Sequence, residues 1–150
     1  MSDGESGNQA MLSDAALGSF RLNGQFLAVA ERLAGPADLT AAWWQVLGAV
    51  IHDPLPVSGI ARAMGITRQS VQRIADLMVD KGFAEYRPNP AHRRAKLLAL
   101  TPNGSAALER ITPQHAAFAE RLADHLGADN LRRAVEALQN LSTALDELDP

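Results

Sequence analysis

The chain has 150 residues, a formal net charge of −3, 47% hydrophobic residues and no cysteine. That length supports one domain whose core needs no staples, and the lack of cysteine excludes a disulfide framework, a thiolate metal site and a thiol redox switch. No apolar run approaches the roughly 20 residues that span a bilayer. The opening Met1-Ser2-Asp3-Gly4-Glu5-Ser6-Gly7-Asn8 has neither the basic start nor the apolar stretch of a signal peptide. A cytoplasmic protein with no membrane association is therefore expected, with a disordered tail over residues 1–10 and a single domain over 11–150.

In chain order, the spacing of Leu12, Ala16, Phe20, Leu27, Ala30 and Leu33 predicts a helix from Met11 to Leu33, stopped by Gly35-Pro36. Thr40 is placed to cap a second helix from Ala41 to about Ile51, apolar nearly all round and so expected in the core. Asp53-Pro54-Leu55-Pro56 reads as a connector, because each proline disfavours helix in the residue before it. Ser58 is placed to cap a short helix from Gly59 to Met64, which Gly65 ends. Thr67 caps a longer helix from Arg68 to Lys81, closed by Gly82. Phe83–Arg87 and Ala95–Leu100 read as two strands of a β-hairpin around the turn Asn89-Pro90-Ala91-His92. Two long helices follow, from Ser105 to Leu126 and from Asn130 to Leu148. Gly127 separates them and Asp129 is placed to cap the second. Pro113 either starts a separate helix after Thr112 or bends one long helix.

The central third carries the chemistry. Two helices crossing at a tight turn need a small residue at the crossing, a residue that tolerates positive φ in the turn, and apolar facing sides. Ala61, Gly65 and the group Ile60, Val71 and Ile74 supply these, with Leu77 and Met78 expected to continue the buried stripe. The remaining face of the second helix shows Arg68, Gln69, Ser70, Gln72, Arg73 and Asp76. An ordinary solvated first turn favours acids, yet this one begins with arginine. Arg bonds guanine and Gln bonds adenine bidentately, while Thr67, Ser70 and the free N–H groups of the first turn suit phosphate oxygens. The hairpin tip, Pro88 to Lys96, is basic through Arg93, Arg94 and Lys96 and stiffened by proline, a form suited to a minor groove. The charge is local: Val57–Leu100 holds eight basic and three acidic residues, net +5, while the rest holds six and fourteen, net −8. Phosphate binding needs such a patch, not a basic whole protein.

The run Ile60-Ala61-Arg62, Gly65-Ile66-Thr67-Arg68-Gln69-Ser70-Val71-Gln72-Arg73-Ile74, Leu77, Lys81-Gly82-Phe83, Asn89-Pro90, Arg93-Arg94 and Leu98-Ala99-Leu100-Thr101-Pro102 with Gly104 resembles the MarR family of bacterial transcription regulators. The resemblance covers nearly the whole chain. It implies a mainly α fold with a small β-hairpin wing: a winged helix-turn-helix lobe over about 40–101, with dimerisation helices over about 11–34 and 105–148. It also implies a homodimer on double-stranded DNA, bound to a pseudo-palindromic operator, commonly as a repressor responsive to a small phenolic or anionic effector. By position it places Gln69, Ser70, Gln72 and Arg73 in the major groove and Arg94 in the minor groove. The expected DNA-binding set is thus Thr67, Arg68, Gln69, Ser70, Gln72, Arg73, Asn89, His92, Arg93 and Arg94. One position departs from the family pattern. His92 stands where an aspartate two residues before the wing arginine usually steadies the wing, so the wing is expected to be held differently, by Glu85 or Asp76 for example, or to be looser.

Other readings are weaker. His52, His92, His115 and His125 include no close pair, so no metal is expected. Trp43 and Trp44 point about 100° apart on a helix and read as core, not as two walls of one pocket. No phosphate loop, nucleophile elbow or paired-carboxylate motif suggests an enzyme, and no cofactor is implied. The rival is a helical protein-interaction module, favoured by the apolar spacing of Leu131, Val135, Leu138, Leu141 and Leu145 but silent about the basic wing.

Overall fold

A computed structural model describes residues 3–149, with side chains from residue 7 onward. The fold is mainly helical with a small antiparallel sheet: α1 (Asp3–Ala34), a 3-10 turn (Gly35–Ala37), α2 (Ala41–Ala49), β1 (Leu55–Pro56), α3 (Val57–Met64), α4 (Arg68–Asp80), β2 (Ala84–Arg87), β3 (Leu97–Leu100), α5 (Pro102–Leu126) and α6 (Ala128–Leu148). The chain divides between Ile111 and Thr112 into two compact units where one domain is expected from length.

In the first unit, α1 starts eight residues before the expected Met11, so residues 3–10 of the expected tail are helical; Met1 and Ser2 lie outside the described residues. The run Asn8-Gln9-Ala10 contains no residue that stops a helix. Pro36 ends α1 in the 3-10 turn, and Asp38 adopts φ 60° to leave it. Two groups then satisfy the free N–H groups of α2. The Thr40 Oγ1 accepts from Trp43 N at 3.1 Å, and Glu31 Oε1 of α1 accepts from Ala41 N at 2.8 Å. Thr40→Ala is expected to cost about 1 kcal/mol of stability, read as a shift in the urea midpoint at unchanged m-value.

The core gathers one face from every element of this unit. Val46 and Leu47 of α2, Ile60 of α3, Val71 and Met78 of α4, Leu98 of β3 and Ile111 of α5 are its largest fully buried side chains. The expected stripe on α4 needs one correction: Ala75 is buried and Leu77 is exposed. Positions 71, 74, 75 and 78 follow the 3.6-residue period, and Leu77 falls just off that face.

The expected hairpin is a three-stranded sheet in the order β1-β3-β2. The segment read as a connector supplies β1, with Leu55 opposite Leu98 and Pro56 opposite Leu97. Proline is tolerated there because β1 is an edge strand. It also removes the need for the expected Ser58 cap: α3 begins at Val57 directly from Pro56, which is extended at ψ 157° and makes no side-chain cap bond.

The junction from β3 to α5 is a second cap. Thr101 Oγ1 donates to the Gly82 carbonyl at 2.5 Å and accepts from Gly104 N at 3.1 Å, while Thr101 N donates to Phe83 O at 3.1 Å. Pro102 occupies the first turn, where its missing N–H costs nothing. Gly104 is buried against the Phe83 carbonyl. From there Ala107 and Ile111 carry α5 into the core, and Arg110 reaches the Ala37 carbonyl at 3.4 Å.

The second unit comprises the rest of α5 and α6. Pro113 lies inside one continuous helix, which decides between the two readings left open by the sequence. Gly127, at φ 93°, precedes α6. Asp129 lies in its first turn and not at the cap, pairing with Arg132 at 3.5 Å. Val135, Leu138, Leu141 and Leu145 are exposed along α6, which has no buried residue.

Candidate nucleic-acid interface

The turn between α3 and α4 is set by Gly65, whose φ of 67° and ψ of 32° suit a residue without Cβ. The Gly65 and Ile66 N–H groups both donate to the Ala61 carbonyl, folding the chain back tightly. Thr67 then opens α4: its Oγ1 accepts from Ser70 N at 3.1 Å and donates to Ser70 Oγ at 2.9 Å. With Val71, Ile74, Ala75 and Met78 turned into the core, Arg68, Gln69, Gln72 and Arg73 are left exposed.

The start of α4 and the base of the wing face each other across a groove of about 490 Å³. Its lining comes from Arg68, Gln69 and Gln72 of α4, from Tyr86 of β2, from Arg94, Ala95 and Lys96 of the wing, and from Pro56, Val57 and Ser58. Three cations on two elements, far apart in sequence, therefore share one concave surface, and low-dielectric walls concentrate a positive potential there. Arg73, Asn89, His92 and Arg93 do not line this groove; Arg73 is exposed on α4, and His92 and Arg93 are exposed at the wing tip.

Six lining residues stand outside the expected DNA-binding set: Pro56, Val57, Ser58, Tyr86, Ala95 and Lys96. Lys96 belongs to the basic count, but its place in one groove with Arg68 follows from the fold. Tyr86 alternates with buried Ala84 along β2, a period-2 signal that puts both on the face toward α4.

Gln72 is held in a closed set of hydrogen bonds between α4 and β2. Its Nε2 donates to Asp76 Oδ1 and to the Tyr86 hydroxyl oxygen, each at 2.9 Å, and the Tyr86 hydroxyl donates to Asp76 Oδ1 at 2.5 Å. The Tyr86 pKa is raised, first by burial and then by the adjacent Asp76 carboxylate, so the hydroxyl keeps its proton.

The wing is steadied otherwise than expected. Glu85 Oε1 is engaged by Arg87, at 2.9 Å from both Nε and a terminal guanidinium nitrogen, and Asp76 is engaged by Gln72 and Tyr86. Neither pairs with Arg94. The tip is ordered instead by Asn89, whose Oδ1 accepts from Ala91 N at 3.0 Å while its carbonyl accepts from His92 N at 3.1 Å. This is a turn with Asn first and Pro90 second, the residues that favour it. Asn89 thus shapes the tip.

Among the described residues no group of three or more His, Asp or Glu gathers to hold a metal ion, and no helix is long and apolar enough to cross a membrane. Trp43 and Trp44 pack against the core, and the Lys81 ammonium lies 5.2 Å from the Trp43 ring centroid.

A helix-turn-helix with an exposed basic second helix, flanked by a basic wing, defines a winged-helix DNA-binding protein. The sequence profile of the MarR family matches residues 37–95. An uncharacterized protein of Mycobacterium tuberculosis is 39% identical over 126 residues, covering 84% of this chain and 88% of its own length. Among solved structures, the M. tuberculosis regulator MosR in complex with DNA is similar at a TM-score of 0.75 and 22% identity, over 91% of this chain and 98% of that one. The repressor CouR bound to a 23-mer DNA duplex is similar at a TM-score of 0.72 and 26% identity, over 83% and 89%. CouR of Rhodococcus jostii has also been solved with p-coumaroyl-CoA, similar at a TM-score of 0.74 and 21% identity over 89% and 94%. The chain belongs to the MarR family of DNA-binding transcriptional regulators.

Proposed function

We propose that this regulator acts as a cytoplasmic homodimer that occupies a pseudo-palindromic operator, represses by blocking polymerase access, and is released by a small anionic or phenolic effector. The observation that carries the DNA contact is the groove in which Arg68 and Gln69 of α4 face Arg94 and Lys96 of the wing. In this reading Arg68, Gln69, Ser70, Gln72 and Arg73 meet the major groove. Thr67 meets phosphate, and Arg93 and Arg94, with Asn89 and His92 beside them, meet the backbone and minor groove. Dimerisation is supported by apolar side chains left in solvent on α1 and α6: Phe20 is 72% exposed and Leu138 43%. A monomer leaves few such faces uncovered. The effector class is supported by the CouR complex, whose ligand is a phenolic thioester. The proposed action is stoichiometric binding, with no catalytic step.

Salt-dependent duplex binding tests this reading. Each phosphate neutralised releases counterions, so log K is expected to fall linearly with log salt concentration, with a slope near −0.9 per contact. Anisotropy titrations of labelled duplex across salt concentrations measure it. Binding with no salt dependence, or no binding, returns the protein to the interaction-module reading.

A further inference from the structure

We infer that Arg62 of α3, beside Ser58, Thr67 and Arg68, grips a phosphate of the DNA backbone, adding a sequence-independent contact from the first helix of the helix-turn-helix. The inference rests on the reading in which α4 enters the major groove.

A second concavity, of about 360 Å³, shares Ser58 and Arg68 with the groove and takes the rest of its lining from Ala61, Arg62, Ile66 and Thr67. Local geometry explains the set. Ser58 and Arg62 lie about one helical turn apart and so share a face of α3. The Gly65 turn, held by two N–H groups on the Ala61 carbonyl, folds the start of α4 back beside α3. Arg62 and Arg68, on different helices, thereby line one surface.

The lining has the chemistry of an anion site. It holds two guanidinium groups and two hydroxyl residues, and no carboxylate. Both arginines are exposed, and among the described residues neither is in an ion pair. Like charges on one surface repel, and a bound anion offsets that repulsion. The guanidinium fork matches the paired oxygens of a phosphate. No glutamine, asparagine or wing residue contributes, so the lining has none of the amides that pair with adenine. The place of α3 in the motif supplies the phosphate. When the second helix of a helix-turn-helix lies in the major groove, the first crosses the backbone, and α3 is that first helix. A contact to phosphate fixes register and orientation and carries no base information.

The test compares full-length wild type, Arg62→Ala and Arg62→Lys by anisotropy titration of a selected duplex across salt concentrations, with thermal unfolding as the fold check. Arg62→Ala is expected to bind about tenfold more weakly at low salt and to reduce the salt slope by about one per half-site. Its base preferences in selection from a randomised library are expected to match the wild type. Arg62→Lys keeps the charge without the fork, so it is expected to keep the slope and recover part of the affinity. A duplex with one uncharged methylphosphonate per half-site, moved along the backbone, locates the contact. At one position the substitution is expected to weaken the wild type and to cost Arg62→Ala nothing further. Unchanged affinity and slope in folded Arg62→Ala overturn the proposal while DNA binding stands, as does a preference lost at a single base. Inorganic phosphate at constant ionic strength tests a free anion as the occupant. If it raises the Tm of the wild type and not of Arg62→Ala, while the slope is the same in both, the site belongs to a free anion and the proposal is overturned. If the wild type binds no duplex, the reading beneath the proposal has failed, and the proposal with it.

Discussion

Replacing Gly104 by alanine is expected to destabilise the protein by about 4 kcal/mol or more, in the range reserved for changes with a specific steric cause. A Cβ on Gly104 would lie 1.9 Å from the Phe83 carbonyl oxygen, 2.9 Å from its carbon and 3.1 Å from Leu100 Cδ2. The first contact is with backbone, which cannot turn aside as a flexible side chain can. Relief requires α5 to move away from the α4–β2 turn. That movement breaks the bonds by which Thr101 holds Gly82 and Phe83, each contributing about 1 kcal/mol net. It also withdraws Ala107 and Ile111 from the core. In thermal unfolding, a loss of this size lowers Tm by roughly 10 °C for a chain of this length. Gly48→Ala is the control: nothing lies within 4 Å of a Cβ there, and alanine is the better helix former inside α2. An equal Tm for Gly104→Ala and the wild type would show that α5 does not pack on Phe83 as described.

Arg94→Ala and Arg73→Ala are expected to have the largest effects on DNA binding while leaving the fold intact, since both side chains are exposed. An arginine contact in a groove contributes about 1–3 kcal/mol, and in a symmetric dimer each substitution removes two. Affinity for a selected operator should therefore fall by between about 30-fold and about 20,000-fold. The two variants should differ in kind. Arg94 lines the groove beside Arg68 and Lys96, so its loss should weaken binding across sequences and reduce the salt slope by about one per half-site. Arg73 stands on the exposed face of α4, and its loss should relax base preference at one position per half-site. Anisotropy titrations at several salt concentrations, with thermal unfolding as the fold check, separate these outcomes. Unchanged affinity in both variants would remove Arg73 and Arg94 from the site.

The helices and their stops were legible because their causes are local. Gly65 adopts the left-handed conformation, Thr40 and Thr67 cap through their own hydroxyls, and Val71, Ile74 and Met78 follow the helical period into the core. The basic face of α4 was legible for the same reason, since helical spacing alone separates it from the buried stripe. Other features depend on a distant partner. Leu55-Pro56 is a strand only because Leu97 and Leu98 lie opposite it, and Ser58 caps nothing because that strand feeds straight into α3. The Leu-Thr-Pro-x-Gly stretch was readable as a signature, but its reason, the Phe83 carbonyl pressed on Gly104, comes from a residue twenty-one positions earlier.

The claim that Val57–Leu100 builds a winged helix-turn-helix with a basic face was determined by the sequence alone, because capping, turn chemistry and charge are properties of neighbouring residues. Only the tertiary structure decided what that face adjoins. It brought Arg68, Arg94 and Lys96 to one groove, gave Glu85 to Arg87 instead of the wing, and tied Gln72 to Asp76 and Tyr86. Hydrogen bonds and ion pairs form between whichever groups the fold makes adjacent, so a residue's type lists the bonds it can make and its surroundings choose among them.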